Sequence, residues 1–340
     1  MNRSLDKNSS NKLPFNLTTS GYKVKFIVKD HNIHDQVTHP DIIKINRGLR
    51  IMSRTYRYIM AMTPYPFYDE SYENPYIVVS NNEIEFVEDL IPNPIDPYPG
   101  KGYHNSDPDI VYAKGQFFIF WRFRQISTNK SRIFIKKSKD LINWSEKQAI
   151  YISRALLSPS VIYDVHENKW KLWGVDEGSW RIMLFESEDG VNWMFVDYTD
   201  VPTHINWLGS KRNCWHLDIN KTKIGKQYLA LIVYASGDGG APPTFLFFGE
   251  SEDGIQWKVY REPVLSPYEN IHKIYRSTFI IEEGKIKVWY SLSSKGSFLR
   301  KLNIKMRGRK VGAGKWSVCF TECDLSNHIS EKDTTLNVIA

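Results

Sequence analysis

Polar residues recur at matching positions near the start of five strand-like segments. Three of these segments open with His39-Pro-Asp41, Asp107-Pro-Asp109 and Ser158-Pro-Ser160. The other two carry His216-Leu-Asp218 and Arg276-Ser-Thr278 at the corresponding place. Imidazole and carboxylate groups are the side chains that most often serve as general acids, bases or nucleophiles. Because residues two apart lie on the same face of a strand, the two polar residues of each segment should point the same way.

These polar pairs stand out because apolar residues fill the rest of the same segments. A buried strand has no reason to carry polar groups at matching positions unless they face solvent or a ligand. Two interpretations stay open: a wet channel with a structural polar lining, and a ligand site. Asp107 is the only carboxylate among the five leading residues. It is therefore the preferred candidate for a catalytic residue.

An internal repeat predicts the elements that would position these residues. The segment Glu186-Ser-Glu-Asp-Gly-Val-Asn-Trp193 returns as Glu250-Ser-Glu-Asp-Gly-Ile-Gln-Trp257, and looser copies end at Trp144 and Phe86. Each copy follows an apolar run and places turn residues before an aromatic residue. With Trp316 as a fifth marker, the markers are about 50–60 residues apart, close to the length of a four-stranded propeller blade. The sequence therefore predicts an all-β fold, a five-bladed β-propeller with four antiparallel strands per blade.

The same pattern predicts the domain organisation. Residues 1–22 are expected to be a flexible N-terminal tail, residues 23–325 a single propeller, and residues 326–340 a C-terminal tail. Lys23 to Val28 is apolar enough to add an edge strand that closes the ring, and Ser317 to Thr321 is expected to be the fourth strand of the last blade. Long helical periodicity is missing, which disfavours a doubly wound α/β fold.

The predicted loops around one end of the ring have the composition of a sugar site. In a propeller the first strand of each blade lines the central channel, and the loops between second and third strands emerge where those strands begin. Aromatic rings stack on the apolar face of a sugar, while charged and amide groups bind its hydroxyls. For each aromatic residue, packing inside a blade is the alternative. The predicted ligand-binding residues are Arg122, Arg124, Arg276, Tyr65, Tyr68, Ser158, Asp176, Trp180 and Trp207.

Composition limits the class of protein. The net charge of +7 indicates either an acidic partner or an ordinary basic surface. No run approaches the ~20 apolar residues of a membrane span, and the N-terminal residues contain no apolar signal-peptide core. The dense basic run Lys305-Met-Arg-Gly-Arg-Lys310 comes without a nucleic-acid-binding motif. We therefore expect no membrane and no nucleic-acid partner, and a cytoplasmic or virion-associated location.

The sequence shows no cofactor motif. The three cysteines are odd in number and have no metal-ligand spacing with histidine, so a disulfide framework is not expected either. No cofactor and no metal is predicted.

The chain resembles the five-bladed propellers of the glycoside hydrolase family 43, 32 and 117 superfamily over residues 38–322. The resemblance rests on the openings at His39, Asp107 and Ser158 and on the Ser-x-Asp-Gly-x-x-Trp hairpins. It implies a glycan site at the channel mouth. The resembled family 43 enzymes use three carboxylates there, on blades one, three and four. The corresponding residues here are His39, Ser158 and His216, so that triad does not carry over.

Two replacements for the missing triad stay open. A histidine, His216 or His39, could be the acid with Asp107 as the base, since imidazole titrates in the useful range. Alternatively, Glu73 or Glu177 reaches in from a loop, where a neighbouring arginine would keep it ionised. The predicted catalytic residues are Asp107, His216, Glu73, Glu177 and His39.

The function predicted from the sequence is a carbohydrate-directed, glycoside hydrolase-like propeller that acts on a glycan at the channel mouth. Whether it is an enzyme is left open; if it is, it would hydrolyse or transfer a glycosyl unit with a non-standard acid/base set. The alternative is a non-catalytic glycan-binding or phage receptor-binding module that recognises a cell-wall polymer, and a protein-binding scaffold ranks third. The basic residues around the mouth favour an anionic carbohydrate ligand, and assembly into an oligomer is compatible with the sequence.

Overall fold

The computed structural model describes residues 13–18, 21–33, 35–128, 130–150, 152, 154–221, 227–236, 241–268, 271–296, 314–325, 335–336 and 338–339. These residues form β-strands and three single 3₁₀ turns. The turns are His31–Ile33, Pro66–Tyr68 and Glu70–Tyr72. Within this part of the chain, no helix is long and apolar enough to cross a membrane.

The strands follow the chain blade by blade. Two short strands come first, β1 (Tyr22–Lys23) and β2 (Lys25–Ile27). Blade 1 contains β3 (Val37–Ile51), β4 (Arg54–Pro64), β5 (Tyr76–Ser80) and β6 (Glu85–Val87). Blade 2 contains β7 (Tyr103–Ala113), β8 (Gln116–Gln125), β9 (Lys130–Ser138) and β10 (Gln148–Ala149). Blade 3 contains β11 (Leu156–Asp164), β12 (Lys169–Asp176), β13 (Ile182–Ser187) and β14 (Met194–Tyr198).

The last two blades are extended by additional short strands. Blade 4 contains β15 (His204–Trp207), β16 (Ser210–Lys221), β17 (Tyr228–Ser236), β18 (Ala241–Ser251) and β19 (Trp257–Val259). Blade 5 contains β20 (Ile271–Glu282), β21 (Lys285–Ser294) and β22 (Trp316–Asp324). Two strands follow near the C-terminus, β23 (Thr335–Leu336) and β24 (Val338–Ile339). The inner strands β3, β7, β11, β16 and β20 contact one another around the ring, which confirms the five-bladed propeller.

The ring closes through the N-terminal segment. Strand β1 pairs with β22 as the fourth strand of blade 5, and β2 pairs in parallel with β6 on the outside of blade 1. The predicted closing strand near Lys23 is thus confirmed. The prediction that Ser317 to Thr321 is the fourth strand is wrong, because this segment lies in β22, the third strand of its sheet. Blade 5 needs only three strands from the C-terminal part, since the N-terminus supplies the outer one.

The predicted tails differ from the structure in part. Phe15 and Leu17 are buried in an apolar cluster between blades 4 and 5, and the Leu17 N–H donates to the Val264 carbonyl at 3.1 Å. Near the C-terminus, β23 pairs with β20 and β24 pairs with β3. The buried side chains of Phe15 and Leu17 therefore hold the N-terminal segment against blades 4 and 5.

The core lies between the blades. Each apolar cluster combines side chains from two neighbouring sheets, as where Ile59 and Ile77 of blade 1 meet Phe117 and Trp121 of blade 2. All four side chains are 0% exposed. Each blade therefore depends on its neighbours to cover its apolar face.

The repeated motif forms the hairpin between the third and fourth strands. Asp189 accepts hydrogen bonds from the N–H groups of Val191 and Asn192, each at 2.8 Å, and the Trp193 indole donates to the Gly190 carbonyl at 3.1 Å. Gly190 has φ +77°, a conformation that glycine adopts at least cost. The motif is therefore a turn device on the outside of the blades. Trp316, the fifth marker of the repeat along the sequence, does not lie in such a hairpin but begins β22.

Candidate active site at the mouth of the channel

The Xaa-Pro openings are β-bulges in the inner strands. Pairing with the second strand shifts register at His39, at Asp107 and at Ser158, and these residues have φ of 52°, 51° and 52°. A left-handed backbone costs a residue other than glycine about 1–3 kcal/mol and is found mostly at functional sites. A bulge also turns a side chain away from regular strand alternation. Blades 1, 2 and 3 therefore each strain their backbone to aim one polar side chain.

Two of these side chains meet a third from blade 4. The Oδ1 atom of Asp107 lies 3.3 Å from His39 Nε2 and 3.5 Å from His216 Nδ1. All three residues are at most 2% exposed. One ligand atom from each lies within 4.8 Å of the other two. We call this set the His-Asp-His cluster.

The Thr63 hydroxyl lies behind the His39 ring. It is 2.7 Å from His39 Nδ1 and can donate to the Thr38 carbonyl at 3.4 Å, which lets it accept a proton from Nδ1. In the tautomer that carries its proton on Nδ1, the lone pair of Nε2 points towards Asp107. Two acceptors 3.3 Å apart repel each other unless a cation or a proton lies between them.

The protonation states reinforce this conflict. Burial lowers the pKa of His39 to about 4 and the pKa of His216 well below its ordinary value, so both imidazoles are neutral near pH 7. Burial alone would raise the pKa of Asp107, but His39, His216, Arg122 and Arg276 together hold it below its ordinary value. Neutral imidazole and ionised carboxylate are the forms that bind metal ions.

Unpaired buried polar atoms also bear on whether the His-Asp-His cluster suits a metal ion. Asp107 Oδ1 and both ring nitrogens of His216 are buried without a hydrogen-bond partner. An unpaired buried polar atom costs about 1–3 kcal/mol, and Asp107 Oδ1 and one ring nitrogen of His216 lie within 4.8 Å of a ring nitrogen of His39. Two histidines and one carboxylate with open positions are a common ligand set for divalent transition metals. The residues therefore fit a divalent ion.

Two further titratable groups border the His-Asp-His cluster. Glu73 Oε1 lies 3.5 Å from His39 Nδ1, and burial followed by the charges of Asp107 and Glu70 raises the Glu73 pKa well above its ordinary value. Burial followed by the nearby arginines lowers the pKa of His104 to about 3. His104 Nδ1 is buried without a hydrogen-bond partner. The pocket thus holds a carboxyl of raised pKa and a neutral imidazole beside the cluster.

A charged wall comes from blade 2. Arg122 Nη2 donates to Glu177 Oε1 at 2.5 Å, and Arg124 Nη1 lies 3.4 Å from Glu177 Oε2. The Ser131 hydroxyl donates to the same Oε1 atom at 2.7 Å. Arg122 also approaches Asp107 Oδ2 at 4.0 Å. Glu177 is therefore held by two guanidinium groups and links the loop of blade 3 to blade 2.

An aromatic wall lies towards blades 4 and 5. The rings of Trp180 and Trp215 are 5.3 Å apart at an angle of 34°. The Trp215 indole donates to the Tyr275 hydroxyl at 3.0 Å, and the Tyr275 ring packs edge-on against His216 at 4.2 Å. The cavity between the walls has a volume of about 680 Å³, within the usual range of ligand sites.

Nine of the predicted site residues line this cavity. They are His39, Tyr65, Glu73, Asp107, Arg122, Arg124, Glu177, Trp180 and His216. The catalytic candidates all lie among them, but their roles stay predictions.

The other five predicted residues are placed elsewhere. Tyr68 hydrogen-bonds Ser293 at 2.5 Å, and Asp176 accepts from Ser179 in its own loop. The Ser158 hydroxyl exchanges hydrogen bonds of 3.2 and 3.3 Å with the Leu217 backbone, so it joins blade 3 to blade 4. Trp207 packs on Phe245 and Phe247.

The fifth of these residues, Arg276, lies deeper in the channel. Its Nη2 donates to Asp109 Oδ2 at 3.1 Å and to the Pro159 carbonyl at 3.0 Å. Asp41, Asp109 and Asp218 form a second buried cluster, with carboxylate oxygens within 4.8 Å of one another. Burial raises the pKa of all three, that of Asp218 to about 8. The second ring of polar residues is therefore a carboxyl cluster with one guanidinium.

Eight lining residues were not among the predicted site residues: Glu70, His104, Ser106, Ile126, Leu157, Gly178, Trp215 and Tyr275. Trp215 and Tyr275 directly precede His216 and Arg276, so regular alternation would place them on the opposite face. Register shifts at both places break that alternation. The basic run at 305–310 lies outside the described residues.

The amino-acid sequence is similar to that of one curated protein. The chain is 27% identical, over an alignment of 358 positions, to the A type blood N-acetyl-α-D-galactosamine deacetylase of Flavonifractor plautii. That match covers 85% of this chain and 45% of the relative, so the chain spans about half the relative's length. No family model matches the chain.

Solved structures support the fold. An N-acetylgalactosamine deacetylase from F. plautii, in complex with blood group B trisaccharide, matches with a TM-score of 0.77 at 22% identity and covers 94% of this chain and 97% of that one. A GH43 endo-arabinanase from Bacillus licheniformis matches with a TM-score of 0.55 at 13% identity, covering 88% and 96%. The chain therefore shares the five-bladed β-propeller fold of these solved structures.

Proposed function

We propose that this protein is a divalent-metal-dependent hydrolase that removes the acetyl group from an N-acetylated sugar of a glycan. The observation that carries the proposal is a set of buried polar atoms without a hydrogen-bond partner among the described residues: Asp107 Oδ1, which lies 3.3 Å from His39 Nε2, and both ring nitrogens of His216. A metal ion held between these side chains would supply the missing partner. The relative from F. plautii, whose name states deacetylation of N-acetylgalactosamine, supports the choice of amide over glycosidic bond.

The His-Asp-His cluster would hold the metal. A divalent ion bound there would supply a Lewis acid for the amide carbonyl oxygen. The hydroxyl of Tyr275 accepts from Trp215 and keeps its own proton, because burial raises its pKa. It can therefore donate to a substrate oxygen beside His216.

The neighbouring groups can move the protons of amide hydrolysis. Water adds across the C–N bond and gives acetate and a free amine, so a proton must be taken from water and one must be delivered to nitrogen. Glu73, whose pKa is raised well above its ordinary value, suits both roles in turn: as a carboxylate it takes the proton from water, and as a carboxyl it delivers that proton to nitrogen. His104 Nδ1 can accept a hydrogen bond from the water.

Glycoside hydrolysis is the second candidate, because the pocket holds an ionised Asp107 and, in Glu73, a carboxyl of raised pKa. A carboxylate and a carboxylic acid are the pair that this reaction uses. Against it, Asp107 is enclosed by two histidines, and Glu177 is paired with Arg122 and Arg124.

The pairing of the arginines also bears on ligand charge. Arg122 and Arg124 face Glu177, and Arg276 faces Asp109. The positive charge that led us to expect an anionic ligand is therefore largely compensated within the pocket. A neutral N-acetylated sugar fits this wall better than an anionic one.

The test is product analysis on metal-free and reloaded protein. The full chain is stripped with a chelator, reloaded with zinc, manganese or cobalt, and incubated with glycans that end in N-acetylgalactosamine. We expect metal-dependent release of acetate and loss of an acetyl group by mass spectrometry. Asp107→Asn and His216→Ala should abolish it, while Asp253→Asn on an outer hairpin should not.

Other outcomes would contradict the proposal. Release of a reducing sugar would identify a glycoside hydrolase. Glycan binding without any product would identify a non-catalytic binding module. Acetate release that is equal with and without metal would exclude the role of the His-Asp-His cluster.

A further inference from the structure

One residue of the pocket wall has a backbone that its side chain disfavours. Trp180 is the fourth residue of the five-residue loop between β12 and β13, with φ +59°. Hydrogen bonds hold this loop at both ends, from Asp176 N–H to the Arg181 carbonyl and from Trp180 N–H to the Asp176 carbonyl, each 2.8 Å. Glycine and asparagine are the residues that usually adopt this conformation. The sequence does provide a glycine, Gly178, but at a position with an ordinary φ.

The strained backbone places the indole in the pocket. Trp180 is partly exposed on the cavity wall and contacts Trp215 of blade 4. At the other end of the same loop, Glu177 pairs with Arg122 and Arg124 of blade 2. The loop of blade 3 thus crosses the mouth from blade 2 to blade 4. Strain at a ligand-accessible residue indicates a functional constraint.

The Trp215 indole contributes apolar surface to the pocket. Its N–H donates to the Tyr275 hydroxyl at 3.0 Å, and both Trp180 and Trp215 line the cavity. The rings of Trp215 and His216 are 6.1 Å apart. A glycan whose terminal sugar reaches the His-Asp-His cluster must therefore lay its next ring close to the indoles.

We propose that Trp180 and Trp215 form a stacking platform for a second sugar ring, the one to which the terminal N-acetylated sugar is linked. The platform rests on the proposed function only for the identity of that terminal sugar. The cavity of about 680 Å³ extends from the cluster to both indoles, so one continuous site serves both rings. The platform makes the protein selective for oligosaccharides over single sugars, since only an oligosaccharide reaches it.

The competing explanation is that the two indoles only pack blade 3 against blade 4. The variant Trp180→Asn distinguishes the platform from the packing explanation, because asparagine tolerates the left-handed backbone while the indole is lost. The denaturation midpoint of this variant should equal or exceed that of the wild type. If the indole serves packing alone, the denaturation midpoint should fall. The affinities for the two ligands compared in the test below should then change by the same factor.

The test compares a trisaccharide that ends in α-linked N-acetylgalactosamine with the methyl glycoside of N-acetylgalactosamine. Affinity is measured by calorimetry on the full chain in the presence of a chelator, so that binding is separated from turnover. Trp180→Asn and Trp215→Phe should lower the ratio of trisaccharide to methyl glycoside affinity, Trp180→Asn by about tenfold. Trp207→Phe, whose indole lies outside the cavity, is the matched control and should not change the ratio.

The outcomes separate the two proposals. If Trp180→Asn weakens trisaccharide binding but no acetate is ever released, the platform stands and the deacetylase proposal fails. If the trisaccharide binds wild type and Trp180→Asn equally, the platform is wrong whatever the activity. If the trisaccharide does not bind the wild type at all, the platform is likewise excluded.

Discussion

At the scale of single residues, the site depends on one hydroxyl that never faces the pocket directly. Thr63 accepts the Nδ1 proton of His39 and so directs Nε2 towards Asp107. Partners behind a metal-binding histidine fix its tautomer and orientation. Thr63 is therefore a positioning residue for the His-Asp-His cluster.

Replacing Thr63 by valine tests this role. Valine has nearly the same shape but cannot accept the His39 proton, so metal affinity should fall about 10–100-fold. Competition with a chromogenic chelator measures the affinity. Thr321→Val makes the same change on β22, the third strand of blade 5, where the hydroxyl donates to the Thr18 carbonyl, and should leave affinity intact. Equal affinities in all three proteins would exclude a positioning role for Thr63.

The deeper carboxyl cluster is a second residue-scale feature. Three acids face one guanidinium, Arg276, which is 0% exposed. Replacing Arg276 by methionine leaves like charges without compensation and should cost about 3–5 kcal/mol of unfolding free energy. Asp218→Asn removes one acid of the three and should be neutral or stabilising. Urea unfolding measures both, and an equally large loss in Asp218→Asn would contradict this account.

At the scale of elements, two turn devices with different purposes recur. The Xaa-Pro bulges strain the inner strands at His39 and Asp107 and direct the side chains of these two residues into the channel. The Ser-x-Asp hairpins lie on the outside and satisfy backbone N–H groups with a carboxylate. Repetition in a sequence therefore identifies architecture, while the polar residues that break a strand identify the site.

The hairpin carboxylates make stability depend on pH. The backbone N–H of Asn192, with Val191, Asn192 Nδ2 and Ser187, lowers the pKa of Asp189 below its ordinary value. A group whose folded pKa is depressed stabilises the fold above its ordinary pKa of about 4, and this contribution is lost as pH falls further. Asp189→Ala should therefore cost about 1–2 kcal/mol at pH 7.

The cost of Asp189→Ala should shrink as the pH falls below 4. Urea unfolding of wild type and variant at pH 7, 5 and 3 measures it. A difference that stays constant over this range would mean that the carboxylate charge contributes nothing.

At the scale of the whole molecule, stability depends on how the ring is closed. Strand β1 completes blade 5, and Val24 N–H donates to the Val318 carbonyl at 2.9 Å. An unclosed blade would leave an open strand edge, which invites pairing with other chains. Closure is therefore the contact on which all five blades depend.

Gly21 is the tightest point of this closure. A Cβ atom there would lie 2.5 Å from the Phe320 carbonyl oxygen, a backbone atom that cannot move aside. Gly21→Ala should therefore destabilise the whole propeller by about 1–3 kcal/mol and lower its thermal midpoint. In Gly178→Ala the nearest neighbouring atom would be 3.8 Å away, so that variant should unfold like the wild type. A normal midpoint for Gly21→Ala would show that the closure tolerates displacement.

The sequence by itself determined the architecture and the composition of the mouth. Repeated hairpins and apolar runs specify local structure, and local structure repeated along one chain has few ways to bury its apolar faces. His39, Asp107 and His216 were predicted because polar residues interrupt apolar strands, and Glu73 and Glu177 because they lie in loops at the same end of the ring. These signals are local, and a sequence displays them directly.

Only the tertiary structure decided which of these residues act together. His39, Asp107 and His216 come from three different blades, so no spacing along the chain indicates a metal site. Ser158 and Arg276 occupy equivalent positions in the repeat, yet their hydrogen bonds are satisfied by Leu217 and Asp109. Whether a polar side chain is satisfied or left unpaired depends on what the neighbouring blade presents to it, and that is settled only when the ring closes.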